Sequence, residues 1–181
     1  MARAPDTVVD ICTLGRFTIV VNGIPVTPVW PSETVKVLFC SLLSPLDVIF
    51  SWDRLCRALW GVPEERISRQ RVHEIIIFPL RTLLRGLFGY DPLVTHADGI
   101  HLDHTGIYVD ALEFFEVVIE GVSCEGIGDH AGACNKFFRA EVLYSGVFMP
   151  GIAGKIVEST RKELDVLFHT TVCGEAYRLC H

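Results

Sequence analysis

No stretch of this chain approaches the ~18 consecutive uncharged apolar residues needed to cross a bilayer. The opening decapeptide MARAPDTVVD also lacks the apolar segment of a secretory signal. These two absences make a cytoplasmic protein the expectation. Catalytic signatures are missing as well: there is no glycine-rich phosphate loop, no G-x-S-x-G, no H-E-x-x-H and no Cys/His pairing. The chain is therefore read as a non-enzyme. Its seven cysteines (Cys12, Cys40, Cys56, Cys124, Cys134, Cys173 and Cys180) include no C-x-x-C, and several sit in apolar runs such as VLFCSLL. Buried free thiols are the expected state, rather than disulfides or a metal site. His101 and His104 are three apart but flank a strand end, with no cysteine or second histidine pair nearby. No metal and no cofactor is assigned.

Positive charge is in short supply. Sixteen Lys and Arg stand against 22 Asp and Glu, for a net charge of −6, which argues against a protein that coats nucleic acid uniformly. Its distribution matters more than its sum. Residues 1–109 hold ten basic and eleven acidic side chains, whereas residues 110–181 hold six and eleven. Between residues 64 and 89, five arginines (Arg66, Arg69, Arg71, Arg81 and Arg85) face three acids (Glu64, Glu65 and Glu74). Contact with an anionic polymer is expected there.

What is present is ordered. VVDICTL and RFTIVVN read as strands, with Asn22-Gly23 as a hairpin turn. PSETVKVLFCSLLS predicts a helix capped by Ser32, with Val35, Leu38, Phe39 and Leu42 inward. Pro45 stops it and DVIF predicts a short strand. Ser51 then caps a second helix, WDRLCRALWG, with Leu55, Ala58 and Leu59 inward, Trp60 as a packing residue and Gly61 as terminator. A third helix is expected over about residues 67 to 87. PLVTHADGIHLD reads as a hairpin turning at Ala97-Asp98-Gly99. From Asp110, expected as an N-cap, the pattern is helical to the end. Phe114, Phe115, Phe137, Phe138, Leu143 and Tyr144 are at core spacing, and the helices are spaced like one and a half tetratricopeptide units.

In that order, TLGRFTIVVNGIPV, DVIFSWDRLCRALWG, PLRTLLRGLFG, LVTHADGIHLD, YVDALEFF and EVLYSGVFMPG resemble the bacterial transcriptional activators of the antibiotic-regulatory-protein type. In that family an OmpR-type winged helix precedes a tetratricopeptide-like bacterial transcriptional activator domain. The resemblance spans nearly the whole chain. It implies an α+β winged helix-turn-helix over 4–106, with an N-terminal antiparallel sheet and a C-terminal wing hairpin. An all-α tetratricopeptide-like domain follows over 107–181. It also implies duplex DNA as partner, with the third helix in the major groove and the 93–103 hairpin over the minor groove. The C-terminal helices would then serve homo-oligomerisation or contact with a further protein partner. The chain departs from the family at the end of the EVLYSGVFMPG loop, where Gly154 and Ile156 replace an acidic residue and a tryptophan.

The candidate DNA-binding residues are Ser51 at the second helix's N-terminus, Arg66, Arg69, Arg71, Glu74, Arg81 and Arg85 along the third, and His101 in the hairpin. The arginines read either as phosphate contacts or as a solvated face paired with Glu65 and Glu74. Arg81 matches the family's arginine beside the core leucine and is the leading phosphate candidate. His101 reads as a minor-groove probe or as an exposed strand histidine. Ile75 and Phe78 break the expected polar face and form a candidate interface. They read as a protein contact, as contacts to thymine methyls, or as core residues turned inward by a kink at Pro79. The runner-up function is a degenerate winged helix that serves as a protein-interaction or dimerisation module without DNA binding.

Overall fold

The computed structural model describes residues 7–47, 49–174 and 178. Alternating β-branched residues at the start of the chain give β1 (Val9–Cys12), β2 (Thr18–Val21) and β3 (Ile24–Val26), paired antiparallel with Val9 opposite Val21 and Ile11 opposite Ile19. The β2–β3 turn is Asn22-Gly23, with φ of 50° and 80°, the positive values that a two-residue hairpin loop of this hand requires. Val9, Ile11 and Ile19 fall on one face at a period of two and are buried. A fourth strand, β7 (Ile107–Val109), runs parallel to β1 and completes the order β3-β2-β1-β7. It lies past the expected boundary at 106/107 yet belongs to the N-terminal sheet.

Helix α1 (Glu33–Leu42) is capped by Ser32, whose hydroxyl oxygen accepts from the Val35 amide, and it buries Val35, Leu38, Phe39 and Leu42 as expected. The DVIF strand shrinks to β4 (Phe50–Ser51), with Val48 outside the described residues. In α2 (Trp52–Trp60), Trp52, Leu55 and Cys56 are buried, whereas Ala58, Leu59 and Trp60 are only half-buried. The first turn is the covered one because the hairpin of β5 (Leu93–Thr95) and β6 (Gly99–Leu102) folds onto it. The Trp52 amide donates to the Asp98 carbonyl (3.1 Å), and its indole N–H donates to the His96 carbonyl (3.2 Å). β6 lies between β4 and β5 in a second, three-stranded sheet.

Residues 69–88 form one helical run: α3 (Arg69–Val72), a π-helical turn (His73–Ile77) and α4 (Phe78–Phe88). The rest is helical: α5 (Asp110–Gly126), α6 (His130–Leu143), α7 (Lys155–Leu167) and a closing π-turn (Phe168–Val172). The helix expected beyond that turn runs into residues 175–177 and 179–181, which lie outside the described set. α5 and α6 approach closely at Gly121, where a Cβ would sit 2.7 Å from the Phe137 ring. Phe114 and Phe137 are buried, but Phe138 is 67% exposed and is not the core residue its spacing suggested. Adjacent helical residues point about 100° apart, and only the Phe137 side of α6 is covered.

The cysteines depart in part from expectation. Cys40 and Cys56 are buried thiols, and burial pushes Cys40 up to about 12. Cys12 and Cys124 are half-buried, Cys173 is exposed, and Cys134 is disulfide-bonded rather than free.

Asp110 joins the two segments. Val109 precedes α5 in extended conformation, so Asp110 is the first residue of the helix rather than its cap. Its carboxylate accepts from the Thr13 amide (2.7 Å), the Thr13 hydroxyl (2.5 Å) and the Leu14 amide (3.2 Å). The same β1–β2 loop is gripped by the 145–149 segment. The Ser145 hydroxyl donates to the Leu14 carbonyl (2.6 Å), and the Met149 amide donates to the Thr13 carbonyl (2.6 Å). Arg161 fixes that segment in turn by donating to the carbonyls of Phe148, Met149 and Ile152. Thr13 is fully buried, so an Asp110→Ala variant would leave buried donors unpaired. It is expected to lose about 3 kcal/mol of stability. In urea unfolding this appears as a lower midpoint at unchanged slope, with Asp110→Asn losing less.

Candidate nucleic-acid interface

Pro79 sits within the 69–88 helical run, where it supplies no amide proton and its ring crowds the carbonyl four residues back. The local backbone answers with a widened turn. The Phe78 amide donates to the His73 carbonyl five residues earlier, and Pro79 falls in the first turn of α4, where an amide proton is least needed. Val72, Ile76, Ile77, Leu80, Leu84 and Phe88 face inward and are buried. Arg71, Ile75, Phe78, Thr82 and Arg85 recur at spacings of four and three and are all exposed, so they form one outward stripe. Ile75 is 49% and Phe78 66% exposed, which removes the reading in which the proline turns them into the core.

Several polar side chains of this helix are bonded within the protein. The Gln70 amide donates to Glu74 (2.9 Å), and the Thr82 hydroxyl donates to the Phe78 carbonyl (2.9 Å). Arg69 pairs with Glu64 at 2.6 Å. Asp91, just past α4, is the acceptor that the spacing did not reveal. It receives Arg85 (2.9 Å) and the Leu93 amide (3.1 Å), and it lies 3.3 Å from Arg81 Nε, an ion-pair distance without hydrogen-bond alignment. Arg81 is half-buried and donates to the Leu93 carbonyl (3.2 Å). It therefore ties α4 to β5, a structural task its motif position did not suggest. The pairs expected with Glu65 and Glu74 are replaced by these. Arg66 and Arg71 have no ion pair among the described residues. They flank a groove of about 400 Å³ whose wall includes Trp60, Val62, Ile67 and Ile75.

At the start of α2, the Ser51 hydroxyl oxygen accepts from the Arg54 amide (3.3 Å) and the residue stays exposed. In the hairpin, His101 is half-buried, its Nδ1 lies 3.0 Å from His96 Nε2, and the two rings stack with centroids 5.0 Å apart. His101 is thus one of a pair, which single-residue reasoning missed. Beyond it, burial lowers the His104 pKa below its ordinary value, an effect partly offset by Asp103, and His104 Nδ1 has no hydrogen-bond partner among the described residues. Hydrogen bonds from the Thr105 amide and hydroxyl hold Asp103 below the usual carboxylate range. No cluster of three or more His, Cys, Asp or Glu with metal-binding geometry occurs among the described residues, and none of their helices is long and apolar enough to cross a membrane.

No family model matches the sequence. No curated protein matches it either. Among solved structures, the chain is similar to Mycobacterium tuberculosis EmbR in complex with a low-affinity phosphopeptide, with a TM-score of 0.65 and 24% sequence identity. The likeness covers 96% of this chain and 48% of that one, so the chain spans about half of the protein it matches. It establishes a shared mixed α/β fold of sheet and several helices.

Two outcomes follow from the geometry. Asp91→Ala strips three partners at once and is expected to cost about 2 kcal/mol of stability in chemical unfolding. His104 carries a folded pKa below its unfolded value of 6.5. Its neutral form is favoured on folding, so stability is intact above that value and declines as pH falls through it. Thermal unfolding followed from about pH 7.5 to about pH 5.5 is expected to show a shallower decline in His104→Asn than in the wild type.

Proposed function

We propose that this chain is a DNA-binding transcriptional regulator. In this reading a winged helix over residues 4–106 carries the 69–88 helix as the reading helix and the 93–103 hairpin as the wing. The tetratricopeptide-like helices of 107–181 provide self-association or contact with another protein. The observation that carries the reading is the exposed stripe from Arg71 to Arg85, turned away from the core along its whole length. The order of sequence motifs and the fold likeness support it. Arg66 and Arg71 are the foremost phosphate contacts because no carboxylate among the described residues pairs with them. Arg69 and Arg85 add to the footprint by exchanging Glu64 and Asp91 for phosphate. Ser51, exposed at the start of α2, adds a backbone contact through the proton of its hydroxyl. Glu74, bonded to Gln70, orders the approach rather than binding an anion. His101 enters the minor groove together with His96, and Arg81 holds the hairpin in place for that contact.

A second reading is favoured by one observation, the exposure of Ile75 and Phe78, since apolar pairs on a helix surface mark protein contacts. In it the same helix docks on another protein and the acidic surface excludes DNA.

The two separate in a salt series on random-sequence duplex DNA. Each arginine on a phosphate contributes about one to the slope of log K against log salt. Arg66→Ala with Arg71→Ala is expected to lower the slope by about two. Absence of binding at low salt, or an unchanged slope, would overturn the DNA reading. An Ile75→Asp, Phe78→Asp variant that shrinks on a sizing column would then favour the protein contact.

A further inference from the structure

We infer that Ile75 and Phe78 read the 5-methyl group of thymine, so that sequence choice by the 69–88 helix is made through apolar contact rather than hydrogen bonds to base edges. The inference rests on the DNA reading above and goes beyond it by naming what is recognised. In the major groove each base pair shows donors and acceptors, and thymine adds the one apolar group, its C5 methyl. A recognition surface must present the complement of what it reads. Between Arg71 and Arg85 this stripe has little left with which to hydrogen-bond. Of its members between the two arginines Thr82 alone is polar, and the one proton of its hydroxyl goes to the Phe78 carbonyl. Arg85 at one end is held by Asp91.

The unspent chemistry at the centre is hydrocarbon: Ile75 at 49% and Phe78 at 66% exposure, three residues apart on the same face. From Arg71 to Arg85 the stripe runs about 20 Å at the helical rise, with Arg71, unpaired among the described residues, at one end, Arg85 on Asp91 at the other, and the apolar pair between them. That order suits a helix whose ends meet phosphates and whose middle meets the groove floor. An apolar pair with no basic flank would carry no such preference for a duplex over a protein. Ile75 also walls the groove beside Arg66 and Arg71, so a methyl contact and two phosphate contacts fall on adjoining surface.

The test compares two duplexes of alternating A·T pairs, one with thymidine and one with deoxyuridine at every such position. They carry identical phosphates and identical hydrogen-bonding groups and differ only in the methyl. Wild-type protein is expected to bind the thymidine duplex about fourfold more tightly for each methyl contacted, the worth of one buried carbon. A G·C duplex carrying 5-methylcytosine is expected to bind more tightly than its unmethylated form. Ile75→Ala with Phe78→Ala is expected to erase both preferences and leave the salt slope intact. Equal wild-type affinity for the two A·T duplexes would overturn the inference while leaving DNA binding in place. Failure to bind either duplex at low salt would instead remove the DNA reading and this inference with it. A change in oligomeric size in the variant, with no thymidine preference in the wild type, would assign the pair to a protein contact. The duplex comparison needs no variant, so a folding defect in the double substitution does not blunt it.

Discussion

The Asp110 carboxylate is the constraint on which the rest of the architecture depends. It lies where a parallel strand ends and a helix begins, and it satisfies two backbone amides and a hydroxyl of the β1–β2 loop, around the fully buried Thr13. Buried donors without partners are costly, so this loop has one acceptable place to be. The 145–149 segment closes over the loop from the other side, and Arg161 braces that segment through three carbonyls. The buried hydroxyl pair of Ser44 and Thr160, 2.8 Å apart, adds a second seam between the turn after α1 and α7. The N-terminal sheet and the C-terminal helices are thus joined by polar contacts inside a continuous apolar core.

The 69–88 helix shows how one residue shapes a surface. Pro79 obliges the backbone to widen just before it, and the widened turn places Ile76 and Ile77 side by side in the core. Their neighbours on either side, Ile75 and Phe78, are directed to solvent. Asp91 then gathers Arg81, Arg85 and the Leu93 amide, fixing the end of the helix against the hairpin. The stripe is held rigidly at its C-terminal end by charge and along its length by the apolar side chains beneath it.

Much of this was legible in the sequence. Strand alternation, the Asn22-Gly23 turn, the Ser32 and Ser51 caps and the Gly61 stop are local signals, and the structure bears them out. The outward direction of Ile75 and Phe78 also followed from period counting. Features that depend on distant partners were not legible. β7 is three residues long and gains its strand character only from β1. Asp110 looked like a helix cap because its true partners belong to the β1–β2 loop. Arg81 and Arg85 read as phosphate contacts or as partners of Glu65 and Glu74, because Asp91 sits beyond the helix end, outside the spacing of helical ion pairs. Phe138 looked buried because the pattern gives a helix's apolar residues but not which of them meet a neighbour. Ala58, Leu59 and Trp60 do pack against the core as expected, but only half-buried, since the hairpin covers the opposite end of α2.

β7 ends at Val109 and α5 starts at the next residue, without a linker between them. β7 is an edge strand, but its hydrogen bonds to β1 hold it along its length, so the helical segment has no free hinge at which to turn. The distance from the Phe138 face of α6 to the stripe on the 69–88 helix is therefore set, like the span of a locked caliper. Whatever seats itself on one of these surfaces has the bearing of the other dictated to it, and a second copy held through α6 would present its own stripe at one spacing and one angle.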